Sequence, residues 1–214
     1  MKDIITIQVS IMLQDSLPNA TDYERIAKKI YEESGISPAT VTLPVPNKEI
    51  WKQLPPEVPR IVGQSDTLDF QISAANLFLT LKNDQMDAFG NVVQIVSDFF
   101  EDTGKGFKIG YRLGIVLTAR TDPATLGKNT RNVLTDEILQ KREWQFSYLD
   151  DAVEESVELN VWKKYICNRT DGTNLHIIDV NVKPTANLDL RNDSVRKIFE
   201  IVKNQVDKTY DEFK

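Results

Sequence analysis

An α+β fold is expected of these 214 residues: a curved, mainly antiparallel sheet of long strands, about three amphipathic helices packed on one face, and two pseudo-repeated hairpin-plus-helix halves. Three observations carry that expectation. Apolar and polar residues alternate with the period of a half-buried strand in several separate segments. Apolar stripes at helical spacing recur between and after those segments. The breaks between neighbouring strand patterns are short, as antiparallel hairpins require, and no glycine-rich strand-to-helix turn of the dinucleotide-binding kind interrupts them.

The first strand pattern is Ile5-Thr6-Ile7-Gln8-Val9-Ser10-Ile11. A helix follows, with Thr21 and Glu24 at capping-box spacing and Tyr23, Ile26, Ala27, Ile30 and Tyr31 on one stripe; Gly35 and Pro38 end it. From 43 to 59 the chain carries Pro44, Pro46, Pro55, Pro56 and Pro59. That density of missing N–H donors rules out a long helix or a central strand and predicts an extended segment, pinned to the body by Trp51.

Leu68, Phe70 and Ile72, then Leu77, Leu79 and Leu81, mark two strands joined across Ala74-Ala75-Asn76. A second helix buries Phe89, Val92, Val93, Val96 and Phe99 and stops near Thr103-Gly104. The clearest strand runs from Phe107 to Ala119, and at ~3.3 Å per residue it reaches about 40 Å. Residues 120–150 form a connection of uncertain structure, with a Pro123 turn and a short helix near Thr135 to Lys141. Val157, Leu159 and Val161 restart the alternation, Asp171-Gly172 turns the chain, and Leu175 to Val182 returns. A last helix buries Val195, Ile198, Phe199, Val202 and Val206, with Asp193 or Ser194 as its cap. Residues 60–102 and 154–208 thus share a pattern of strands followed by a long amphipathic helix, without sharing residues.

The chain is 41% hydrophobic and 27% charged, and a single domain over 1–214 of this size buries roughly 70% of the surface its unfolded form exposes. A formal charge of −6 argues against a general nucleic-acid binder, which needs a basic face to displace counterions. One cysteine excludes an intrachain disulfide, the segment from Met1 to Thr6 lacks the apolar run of a signal peptide, and no stretch approaches ~20 apolar residues. The expected setting is cytoplasmic, without membrane contact.

His176 and Cys167 are the sole residues of their types. A closed zinc site takes four Cys or His ligands, so neither a metal nor a cofactor is expected. His176 shares a strand face with Ile178, Val180 and Val182, which favours a residue at the margin of the core over a general base. Asp179, an odd number of residues away, points to the other face and cannot orient it. Cys167 precedes the same turn, with Arg169 two residues on, so a Cys167/His176 pair closed by Asp171-Gly172 is the sharpest enzymatic hypothesis; a small buried hydrophobe is the more economical reading of the thiol.

Lys108 and Arg112 share a strand face with Gly110 and Gly114, where a ligand or another backbone can come close and two cations can meet a phosphate or carboxylate. Charge pairing with a helix packed over the glycines is the plainer alternative. Gly104-Lys105-Gly106 lacks phosphate-loop spacing and precedes a strand. Asp150, Asp151, Glu154, Glu155 and Glu158 have no calcium-loop spacing and read as a solvated face.

Phe70-Gln71-Ile72-Ser73 before an asparagine-bearing hairpin, Ile109-Gly110-Tyr111-Arg112 on a long strand, and Asp179-Val180-Asn181-Val182 with Leu188-Asp189-Leu190-Arg191 before a C-terminal helix resemble a sporadically distributed family of uncharacterised bacterial proteins. The resemblance spans most of the chain. It implies a bacterial or mobile-element origin and carries over no activity and no site residue.

The expected function is non-enzymatic binding or regulation, with Lys108, Arg112 or Trp51 holding a partner protein or an anionic small ligand. The alternatives are a hydrolase or transferase using Cys167 and His176, and a structural protein that self-associates through its long strands.

Overall fold

The computed structural model describes residues 4–13, 28, 32, 41–42, 53–59, 61–64, 66, 68–73, 76–82, 109–131, 133–183 and 192–213. Within them nine strands form one sheet, and every pairing in it is antiparallel. In chain order the strands are β1 (Ile4–Leu13), β2 (Val41–Thr42), β3 (Ile61–Gln64), β4 (Leu68–Ile72), β5 (Asn76–Lys82), β6 (Ile109–Arg120), β7 (Glu143–Glu154), β8 (Val157–Asn168) and β9 (Thr173–Val182). Across the sheet they run β2-β3-β4-β5-β1-β6-β9-β8-β7. Three helices lie wholly among the described residues: α1 (Pro123–Thr130), α2 (Asp136–Leu139) and α3 (Asn192–Phe213).

The expected α+β, mainly antiparallel architecture is present, and β1 is the seam between its two parts. The first strand of the chain pairs with β5 on one side and β6 on the other. Register makes one face continuous. Phe70 stands opposite Leu79, Leu79 opposite Val9, Val9 opposite Ile115, Ile115 opposite Val180 and Val180 opposite Val161. All six are buried. Alternation in sequence becomes a single apolar surface because each neighbour is in phase, and a slip of one residue would turn a whole strand over.

Helix α3 packs against β6, β8 and β9 through its buried row, which includes Ile198, Phe199, Val202 and Val206. These are the positions the helical spacing selects, and the stripe continues to Thr209 and Tyr210. The helix starts at Asn192, so Asp193 and Ser194 fall in its first turn and neither is the residue before it. The helices expected around Tyr23 to Tyr31 and around Phe89 to Phe99 lie outside the described residues, apart from helical positions at Lys28 and Glu32; of the first half of the proposed repeat, 60–102, strands β3, β4 and β5 are described and the helix is not.

The connection over 120–150 holds structure the sequence did not reveal. Asp122 caps α1, its carboxylate accepting the N–H groups of Ala124 and Thr125, both at 2.9 Å. The Thr125 hydroxyl, then its backbone N–H, hold the Asp122 carboxyl below its ordinary range. Thr135 caps α2, which coincides with the short helix expected there. A twelve-residue strand, β7, then pairs with β8 without a break from Glu143–Asn168 to Glu154–Val157. Glu155 and Ser156 join them with φ of 47° and 71°, the two positive values a two-residue hairpin loop of this twist demands.

Of the two glycines singled out on β6, Gly114 has a structural reason. It is buried on the face away from the core row, opposite Asn181 on β9. A Cβ placed there would sit 2.9 Å from Asn181 Cβ and 3.3 Å from the Val180 carbonyl oxygen, so a strand and its side chain, not a ligand, take up that space. Gly114→Ala is therefore expected to destabilise the protein by about 1–3 kcal/mol. Gly127→Ala in α1, where nothing lies within 4 Å of the new methyl, is expected to stabilise it by up to about 1 kcal/mol. Urea unfolding of the two variants checks this; equal effects of one sign would contradict it.

Candidate functional site

The β8–β9 hairpin closes as Asp171-Gly172 suggests. Gly172 has φ of 74°, the Asn168 side chain accepts the Thr170 N–H at 2.9 Å, and Asp171 accepts that of Thr173 at 2.8 Å. The Thr173 contacts hold the Asp171 carboxyl below its ordinary range. Four residues, 169–172, lie between the strands, and this loop sets the register: Cys167 faces Asn174, and Tyr165 faces His176.

Cys167 and His176 thus share the core face of adjacent strands but occupy diagonal positions, at which Cα atoms are typically ~7–8 Å apart. Both are sealed, at 1% and 0% exposure. The His176 ring lies flat on Tyr165, centroids 4.8 Å apart and planes 4° from parallel. Phe146 and Tyr148 of β7 continue this aromatic row towards the sheet edge. Burial, and secondarily the Lys163 ammonium, push the imidazole down to about 3. It is neutral at pH 7 and a weak proton acceptor. Burial, then the hydrogen bond with Tyr148, raise the Tyr165 phenol. Cys167 packs with Leu126 of α1 and Tyr165, against Trp144. Arg169, two residues on, donates to the Leu139 carbonyl at 2.7 Å and so anchors α2. Asp179 lies on the opposite face from His176, as the odd spacing requires, and accepts from Asn181 at 3.1 Å.

The binding residues expected from sequence are placed only in part. Lys108 and Trp51 lie outside the described residues. Arg112 is a position on β6 whose side chain lies outside them, and its pairing with Lys108 is therefore outside them too. The acidic run straddles the β7–β8 turn, and much of it is ion-paired. Lys163 meets Asp150 at 3.2 Å, Lys183 meets Asp151 at 2.9 Å, and Lys197 of α3 meets Glu155 at 3.0 Å. Among the described residues no three His, Cys, Asp or Glu side chains gather as metal ligands would.

Two surface features involve residues that periodicity and motifs do not single out. One is the β7 edge of the sheet, which no other strand among the described residues pairs. Strand β7 is the last in the order, runs for twelve residues and has neither a proline nor a register break. On the face away from α3, Leu149 stands directly opposite Trp162 of β8, and they are 45% and 43% exposed; Val153 further along is 68% exposed. Half-buried Ile166, Leu175, Ile177 and Val116 extend that face inwards over β8, β9 and β6. The other feature is a cleft of about 520 Å³ bounded by α1, α2 and Trp144, with Arg131 and Arg169 in its lining.

Compared with known protein families and with curated proteins, the chain matches no family model and no curated sequence. The resemblance carried by Phe70 to Ser73, Ile109 to Arg112, Asp179 to Val182 and Leu188 to Arg191 rests on those residues alone. Among the described residues no helix is long and apolar enough to cross a membrane.

Proposed function

We propose that this chain is a non-enzymatic binding protein that captures a partner protein by strand addition along β7. The observation that carries the proposal is the coincidence of a long, unbroken edge strand with an exposed Leu149–Trp162 pair beside it. An exposed edge offers backbone N–H and C=O groups to any extended chain, and natural proteins normally blunt it by shortening, bulging or charging the strand. At the opposite edge the described part of the last strand is β2, of two residues. Strand β7 has only its acids: Glu143, Asp150, Asp151 and Glu154, with no lysine or arginine. Asp150 and Asp151 are ion-paired with Lys163 and Lys183, but a second copy of β7 laid antiparallel would still bring Glu143 and Glu154 of each copy against one another, so these acids select against self-pairing. They favour a neutral or basic extended segment whose apolar side chains settle on Leu149 and Trp162.

The catalytic reading of Cys167 and His176 has less support, because both side chains are covered and the imidazole is a weak base. A bacterial, cytoplasmic setting belongs to the same proposal, supported by the resemblance above and by a sole cysteine that is a buried free thiol. So do the two pseudo-repeated halves. Their support is that 60–102 holds the adjacent antiparallel strands β3, β4 and β5 and 154–208 holds the β8–β9 pair followed by α3.

A photo-crosslinking residue at Gln145, exposed on β7 and on the same face as Leu149, tests the reading in the protein's own cells. A discrete adduct to one different protein is expected, with the same residue at Gln71 on β4 giving none. Adducts to a second copy alone would point to self-assembly and overturn the proposal, as would no adduct at 145.

A further inference from the structure

We propose that the cleft between α1, α2 and Trp144 binds a small organic anion, a carboxylate or phosphate group carried on a flat ring. This site is separate from the β7 edge. Its volume of about 520 Å³ falls within the range of small-molecule pockets, large enough for a bicyclic ring with one charged group. Pro123, Leu139 and Trp144 supply apolar wall, while Arg131, Arg169 and Gln140 supply donors; Asp136 is the one acid in the lining.

The two guanidinium groups differ in how they are held, and the difference suits a ligand. Arg169 is fixed by its 2.7 Å bond to the Leu139 carbonyl, so one nitrogen is engaged while the rest of the planar group keeps its direction. Arg131 follows the last turn of α1, is exposed, and has no carboxylate within ion-pair distance among the described residues. A fixed cation and an adjustable one can hold two oxygens of the same anion. Trp144 adds a donor. Its indole N–H is covered and meets no acceptor among the described residues, so a ligand oxygen that reached it would gain a bond the free protein lacks. The indole itself is packed against the Leu126, Tyr165 and Cys167 cluster, which fixes it as a wall.

The test follows the Trp144 indole N–H resonance in the full-length protein, assigned with Trp144→Phe, during titration with 2-naphthoate and separately with 2-naphthyl phosphate. A saturable shift with at least one of them is expected, and which one binds tighter tells carboxylate from phosphate. The neutral 2-naphthamide and ringless inorganic phosphate should each bind at least tenfold more weakly. Arg169→Met should weaken binding at least tenfold; since Arg169 also anchors α2, Arg131→Met, an exposed position, should do the same in a protein of unchanged stability. No shift with either anion at millimolar concentration would overturn the proposal. So would binding of naphthamide or inorganic phosphate as tight as the aromatic anion, or unchanged binding by Arg131→Met.

Discussion

Lowering the pH from 7 to 4 should cost the wild-type protein several kcal/mol more stability than it costs a His176→Phe variant. The reason is the environment of one ring. His176 is fully buried, stacked on Tyr165, directly opposite Ala119 of β6 on its other side, and within the field of Lys163, which is itself ion-paired with Asp150. Burial first, and Lys163 second, bring its folded pKa down to about 3, whereas an imidazole in the unfolded chain protonates near its ordinary 6.5. Between those values the unfolded state binds a proton that the folded state does not, so stability rises with pH across the window and is lost as pH falls through it. The full window amounts to on the order of 5 kcal/mol, of which about 3 kcal/mol falls between pH 7 and 4. Phenylalanine keeps the stack and the apolar packing but has nothing to titrate. Urea unfolding of both proteins from pH 7.5 down to 4 separates this from the carboxylates, which the two proteins share. Parallel stability curves would contradict it.

Much of that environment was legible in the sequence, and the part that was not has a physical cause. Alternation in 175–182 puts His176 on the apolar face, and the Asp171-Gly172 signal brings Cys167 and His176 to one hairpin. The offset between them was not legible. It depends on a four-residue loop, fixed by side-chain bonds from Asn168 and Asp171 that no periodicity reports. Strand β7 was missed for a different reason. Its core face carries Trp144, Phe146 and Tyr148, but beyond them the exposed apolar residues Leu149 and Val153 lie on the opposite face. An edge strand pairs on one side only and is free to present apolar residues on both faces, so the period-2 signal cancels. The turn that follows is equally disguised, since Glu155 and Ser156 take positive φ without a glycine and look like part of an acidic run. The candidate functional surface is therefore the stretch where alternation fails.

Trp162→Lys should lower affinity for the captured partner by at least about thirtyfold, the loss of roughly 2 kcal/mol expected when a central aromatic anchor is removed. Its stability should change little, because the ring is 43% exposed in the unbound protein and a lysine stem can lie along the same strip. Leu149→Lys, directly opposite on β7, should act in the same direction. Because the two residues touch a common surface, the double variant should lose less than the sum of the two single losses. Gln8→Lys serves as a control, an exposed position on the same face of β1, three strands further in than Trp162, and should leave capture intact. Surface plasmon resonance with the crosslinked protein, once isolated, reads all four. Equal capture by wild type and Trp162→Lys would remove Trp162 from the interface.

Strand addition makes a demand that side-chain contact alone does not, because it uses the free backbone of β7. Amide hydrogen exchange of the protein alone and saturated with its captured partner measures that backbone. Addition along the edge predicts at least tenfold slower exchange within Glu143–Glu154, with β4 and β5 unchanged. Protection confined to 123–140, or none along β7 at saturation, would contradict it.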